Sequence, residues 1–184
     1  MQFYAEMFEQ DHLKYIFWDD RTSDIHGDLT IENIVCLSDD SEITDDEYKG
    51  KKRPESYYFI DPNTGNLHDS PFLDYAKLLQ SLHGNYEFRM IVKDVFISDD
   101  SVEFMMIHSE EYHRLYILYD KYLRMHFSRE EVLSIYYHEI THWLRLIPYK
   151  IRKNKKTAVI FYTGLLYVLD TVWRMENGKV PYNI

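Results

Sequence analysis

The chain has 184 residues, 45% of them hydrophobic and 16% aromatic, enough to bury one substantial core in a single domain spanning 1–184. Its 31 acidic residues outnumber its 21 basic ones, giving a net charge of −10 and a pI near 5.3. This balance argues against a nucleic-acid partner, which needs clustered Lys and Arg, and admits a cationic small molecule, with a sugar or other metabolite equally open.

Residues 2–17 place Phe3, Tyr4, Met7, Phe8 and Leu13 among polar groups, a pattern that predicts one amphipathic helix. After it comes His26-Gly27-Asp28-Leu29-Thr30-Ile31-Glu32-Asn33. Residues 33–37 and 57–61 are rich in Ile, Val, Tyr and Phe and predict two short strands. Cys36, the only cysteine, lies in the apolar run Ile34-Val35-Cys36-Leu37 and reads as a buried, inert thiol, so a reducing compartment is expected. Between the strands, 38–56 is first acidic and then basic with no apolar period, which predicts a solvated loop. The alternative is that Lys51, Lys52 and Arg53 reach a phosphate or a partner.

Pro62-Asn63-Thr64-Gly65-Asn66 is a turn by composition. A helix follows Pro71, with Phe72, Tyr75, Ala76, Leu79 and Leu82 on its apolar face and His83-Gly84 as its stop. Residues 89–98 and 102–107 predict a hairpin turning at Asp99-Asp100-Ser101. The remainder, 109–177, reads as helices. One runs from Glu110 to about Phe127, with Tyr112, Tyr116 and Tyr119 on its core face. A second starts at the capping box of Ser128 and Glu131 and ends near Ile147, before Pro148; a third runs from Thr157 to about Met175. No apolar run approaches the ~20 residues needed to span a bilayer and the N-terminus lacks a signal-peptide layout, so a cytoplasmic protein with no membrane partner is expected.

The segment 25–62 carries the chemistry. In phosphoryl transfer an aspartate in a catalytic loop accepts the proton of the attacking hydroxyl, while an asparagine five residues on and an aspartate ending a later strand hold the metal. Asp28, Asn33 and Asp61 supply those side chains in that order, and Asp61 ends the apolar run Tyr57-Tyr58-Phe59-Ile60. The string HGDLTIEN followed by IDP resembles the aminoglycoside phosphotransferase and choline kinase group of kinase-like enzymes. The resemblance covers residue 25 to about 83 by motif, and more loosely the helical remainder. It implies an α+β, mainly helical fold, the C-terminal lobe of the protein-kinase-like architecture, with a short catalytic-loop hairpin.

The resemblance further implies Asp28 as catalytic base, Asn33 and Asp61 as ligands of Mg²⁺ on ATP or another nucleoside triphosphate, and a small-molecule hydroxyl as acceptor. His26 would buttress the loop, and Asp74 would hydrogen-bond the loop backbone. The C-terminal helices would form the acceptor pocket, where His138, His142 and Arg145 could lie. Only 25 residues precede His26, with no glycine-rich loop and no strand lysine among them. The N-terminal nucleotide-binding lobe is therefore expected from an upstream segment or another polypeptide, and the alternative function is an incomplete lobe acting as a fragment or binding module.

A competing motif is His138-Glu139-Ile140-Thr141-His142, an H-E-x-x-H that on a helix places two imidazoles one turn apart to bind zinc, with the glutamate as base. A third ligand would have to come from Asp170 or Glu176. With nine histidines in the chain, core packing or an acceptor-pocket role is the preferred reading over a zinc hydrolase.

Overall fold

The structure, a computed structural model, describes residues 4–18, 20–42, 52–66 and 69–179. These are mostly helical, with two separate two-stranded antiparallel sheets. In chain order the elements are α1 (Gln10–Ile16), β1 (Ile34–Glu42), β2 (Lys52–Phe59), α2 (Phe72–Leu82) and α3 (Tyr86–Met90). Then come β3 (Val95–Ile97), β4 (Val102–Phe104), α4 (Glu110–His126), α5 (Arg129–Lys153) and α6 (Lys155–Glu176).

The core forms where α5 meets α6 and α2. At the start of α5, Ser128 Oγ accepts from the Glu131 amide at 3.1 Å and the Glu131 carboxylate accepts from the Ser128 amide at 2.8 Å, so both halves of the capping box are made. The helix does not stop before Pro148 as its sequence predicts but continues to Lys153. A proline inside a helix costs roughly 3 kcal/mol through its missing N–H. Packing beyond it offsets the loss: Lys150 is buried, its ammonium 4.2 Å from the Phe161 ring centroid and 5.5 Å from that of Tyr86. Asn154 then breaks the helix in an extended conformation, and α6 returns along α5, bringing Phe161 beside Lys150 and Glu176 beside Tyr137.

Trp143, fully buried, sits at the centre of this packing. A Cβ on Gly164 would lie 2.8 Å from its ring, so only glycine lets α6 approach this closely. The helix α6 is long and apolar enough to cross a bilayer by composition, with mean hydropathy 1.2 over 157–176, contrary to the expectation of no such segment. Half of that stretch is buried within the fold. Ile160, Val168 and Val172 are among its fully buried residues.

Three further elements differ from the sequence reading. The single N-terminal helix is a one-turn 3₁₀ helix, Glu6–Phe8, followed by α1, with Glu9 extended between them. Met7 and Ile16 are nine residues apart, so at 3.6 residues per turn they would face opposite sides of one helix; the break turns both into the core. The strand predicted from Arg89 begins instead as α3, because Asn85 takes the left-handed region (φ 54°) and starts a new turn. Arg89 is buried there, donating to the carbonyls of Gly84 (2.9 Å) and Ile160 (3.1 Å), and burial pushes its pKa down to about 10. The hairpin that follows is correspondingly short, with Val95 opposite Phe104 and Ile97 opposite Val102.

The third difference is the β1–β2 hairpin, which pairs Ile34 with Phe59 and Cys36 with Tyr57. Its strands extend into the stretch predicted as loop, to Glu42 and from Lys52, with register shifts around Ser38. Residues 43–51 and the side chains of Lys52 and Arg53 lie outside the described residues, so the alternative for Lys51, Lys52 and Arg53 does too. Cys36 is exposed, not buried. Neither face of a two-stranded hairpin is covered unless another layer packs on it, and here Val35, Leu37, Tyr57, Tyr58 and Phe59 are all exposed.

On α4, Ser109 caps the N-terminus by accepting from the Tyr112 amide at 3.3 Å. Tyr116 and Tyr119 pack against the core, and their hydroxyls bond the Tyr136 hydroxyl (3.2 Å) and the Tyr75 carbonyl (3.0 Å). Burial raises the pKa of both phenols.

Candidate functional site

Asp74, in the first turn of α2, fixes the loop that carries Asp28. Its two carboxylate oxygens accept the amides of His26 and Gly27, each at 2.7 Å, short as expected of charge-assisted bonds. Gly27 sits at φ 78°, and a Cβ there would collide with the Asn63 carbonyl and the Asn66 side chain. Glycine is required at that position by both conformation and space. The His26 ring is fully engaged: Nδ1 accepts from the Asp28 amide (3.3 Å), which leaves the proton on Nε2 to donate to the Ile60 carbonyl at 2.8 Å. An imidazole held at both nitrogens positions a loop and is not free to shuttle a proton.

The same network joins the three predicted chemical residues. Asn33 Nδ2 donates to the Asp28 carbonyl at 2.7 Å, so its Oδ1 is the end left for another partner. The Ile60 amide donates to the Asn33 carbonyl at 3.0 Å, and the Asn63 amide to the His26 carbonyl at 2.8 Å. Asp61 thus lies between two residues tied to the Asp28 loop. Its backbone takes the left-handed region (φ 55°), a conformation aspartate tolerates better than most residues, and its side chain is exposed. Among the described residues it has no hydrogen-bond or ion-pair partner. A second link runs from α2, where Ser81 Oγ accepts from the Ile31 amide at 3.2 Å and donates to Glu87 at 2.6 Å. Burial raises the Glu87 pKa.

The sequence reading missed Lys77. Its ammonium is 3.0 Å from an Asp28 carboxylate oxygen, and the two line a cleft of about 180 Å³ with Gly27, Asn63, His142 and Arg145. The available signal was spacing: Lys77 follows Asp74 by three residues and so shares its helix face. His142 donates from Nε2 to the Leu73 carbonyl at 2.9 Å, and burial, with the nearby Lys77 charge, pushes its pKa down to about 3. The imidazole is therefore neutral and committed to a hydrogen bond.

His138 does not enter this cleft. Its Nε2 lies 3.0 Å from Asp20 and its Nδ1 2.8 Å from the Ser134 carbonyl, with Phe17 and Phe72 packed on the ring. Glu139 is fully buried and accepts from His83 Nδ1 at 2.9 Å and from Trp143 at 3.4 Å. The two imidazoles of H-E-x-x-H are thus spent on separate partners, and the glutamate has no access to a water. Asp170 pairs with Arg174 and Glu176 with His12, both away from either imidazole's partner. No cluster of three His, Cys, Asp or Glu suited to a metal occurs among the described residues.

A larger cavity of about 460 Å³ opens between the N-terminal segment and the near ends of α5 and α6, lined in part by His12, Glu130, Trp173 and Glu176. It holds none of the Asp28 network. No family of known proteins, no curated protein and no solved structure matches this chain.

Proposed function

We propose that this chain is the catalytic part of a phosphotransferase that moves the terminal phosphoryl group of ATP, or another nucleoside triphosphate, to a hydroxyl of a small molecule. The observation that carries the reading is the Asn33 side chain bonded to the Asp28 carbonyl while the backbone beside Asp61 is bonded to both loops. In this reading Asp28 accepts the hydroxyl proton as its oxygen attacks the phosphorus, and Lys77 supplies a positive charge where that oxygen meets the phosphoryl group.

Asn33 Oδ1 and the Asp61 carboxylate are hard oxygen donors with no partner among the described residues, a set that suits Mg²⁺. Bound there, the ion would neutralise the phosphates of the donor. Catalysis of this kind is mostly positional and electrostatic, so the residues that hold the loop, Asp74, His26 and Gly27, are as necessary as those that touch substrate. The body is read as a kinase-like C-terminal lobe working in the cytoplasm, with the nucleotide-binding lobe provided by another segment or polypeptide.

A second reading, a lobe that functions only as part of a larger assembly, is favoured by the hairpin. Val35, Leu37 and Tyr58 on one face of the hairpin, and Tyr57 and Phe59 on the other, are exposed apolar groups on the strands that run from Asn33 and toward Asp61. Paramagnetic Mn²⁺ added with ATP tests the site assignment by NMR. The reading predicts selective broadening of amides at 28–33 and 60–63; broadening centred on 138–142 would transfer the case to the paired histidines.

A further inference from the structure

The acidic balance of the whole chain admits a cationic acceptor, but the cleft beside Asp28 carries a cation unpaired among the described residues, Arg145. Among the described residues Asp28 is the one carboxylate lining it, and that charge is already met by Lys77 at 3.0 Å. His142 is neutral, held there by burial and by the Lys77 and Arg145 charges. Arg145 is exposed and makes no ion pair among the described residues, so its guanidinium stands on the cleft wall free to take an anion, whereas the Asp74 carboxylate behind Gly27 is spent on the His26 and Gly27 amides.

The wall that carries it is one face of α5. His142, Arg145, Leu146 and Tyr149 follow at the i, i+3, i+4, i+7 spacing and all line the cleft. The next turn of the same helix brings Arg152 and Lys153, and Lys150 lies close enough to Lys153 and Lys77 for both charges to lower its pKa alongside burial. A local cationic surface on a strongly acidic chain focuses an anion toward Asp28 and repels a cation from it.

From this we infer that the acceptor is an anionic alcohol, a hydroxyl compound bearing a phosphate or carboxylate, with Arg145 gripping the anionic group while Lys77 stays with Asp28 and the reacting hydroxyl. The inference rests on the phosphotransferase reading but can fail separately from it. An arginine suits the role because its planar fork matches carboxylate and phosphate oxygens in pairs. Tyr149, exposed beside it, offers a ring face for the carbon skeleton.

The test compares glycerol 3-phosphate with glycerol and choline, on wild type and on Arg145→Gln, an exposed position where the substitution leaves the fold intact. With ATP as donor, the inference predicts transfer to glycerol 3-phosphate over the other two, and a KM for it raised about tenfold or more by Arg145→Gln. The KM for ATP should not change. Preference for choline, or an Arg145→Gln effect confined to the ATP KM, overturns the inference and leaves the phosphotransferase reading standing. If no acceptor is phosphorylated, an NMR titration with glycerol 3-phosphate separates the two claims. Shifts at 77, 145 and 149 that vanish in Arg145→Gln uphold the anion site whatever becomes of the transfer reading, and no shifts overturn it.

Discussion

Replacing Asp74 by asparagine should loosen the loop that carries Asp28 without unfolding the protein. The carboxylate accepts two amides, from His26 and Gly27, each at 2.7 Å. Asparagine keeps one acceptor oxygen but turns an NH₂ toward the second amide, leaving the buried Gly27 or the partly buried His26 N–H without a partner. A hydrogen bond to a charged group contributes about 1.5–3 kcal/mol, so the local opening free energy should fall by about 2 kcal/mol, equivalent to roughly 30-fold faster exchange. Hydrogen–deuterium exchange resolved at single amides measures this directly. His26 and Gly27 should lose protection by that factor, while Ile140 and Trp143 in the core of α5 should change by less than about twofold. Unchanged protection at His26 and Gly27 would refute the claim that Asp74 holds the loop, and an equal loss in α5 would show that it acts on global stability instead.

Gly27→Ala forces a side chain into the left-handed region, at about 1–2 kcal/mol, and against Asn63 and Asn66. It should lower Tm on the order of 5–10 °C by calorimetry; a Tm within a degree of wild type would contradict the steric account. The pH dependence of stability should carry a signature of His142. Its folded pKa of about 3 lies below the unfolded value of about 6.5, so the group has no effect above pH 6.5. Below that the unfolded chain takes up a proton that the folded one refuses, and stability falls with pH. Between pH 7.5 and 5 the loss is about 2 kcal/mol, read as the extra decline in urea-unfolding free energy of wild type over His142→Gln, whose amide can still donate to Leu73. Equal slopes for the two proteins would show that His142 titrates normally.

Local signals in the sequence were read well where one short-range interaction decides the outcome. The capping box at Ser128 and the span of α2 are of this kind. Pro148 was misread because a proline's local penalty was outweighed by packing around Lys150 that only the folded chain supplies. Cys36 was misread because an apolar run states what a strand could bury, not whether another layer lies over it. The order of Asp28, Asn33 and Asp61 could be seen in the motif, but Lys77 was signalled only by its spacing from Asp74, since its tie to Asp28 spans the β1–β2 hairpin and the start of α2. The H-E-x-x-H spacing placed its histidines on a helix, yet the partners that engage them, Asp20 and the Leu73 carbonyl, lie far away in sequence.

Phosphoryl transfer from γ-labelled ATP in the presence of Mg²⁺, followed for wild type, Asp28→Asn, Asn33→Ala and Asp61→Asn, tests the central claim most directly. The account predicts that each variant keeps its helical circular dichroism and loses at least about 100-fold in rate, as expected for removal of a general base or a charge-neutralising ligand. A folded Asp28→Asn protein that transfers phosphate as fast as wild type would contradict it.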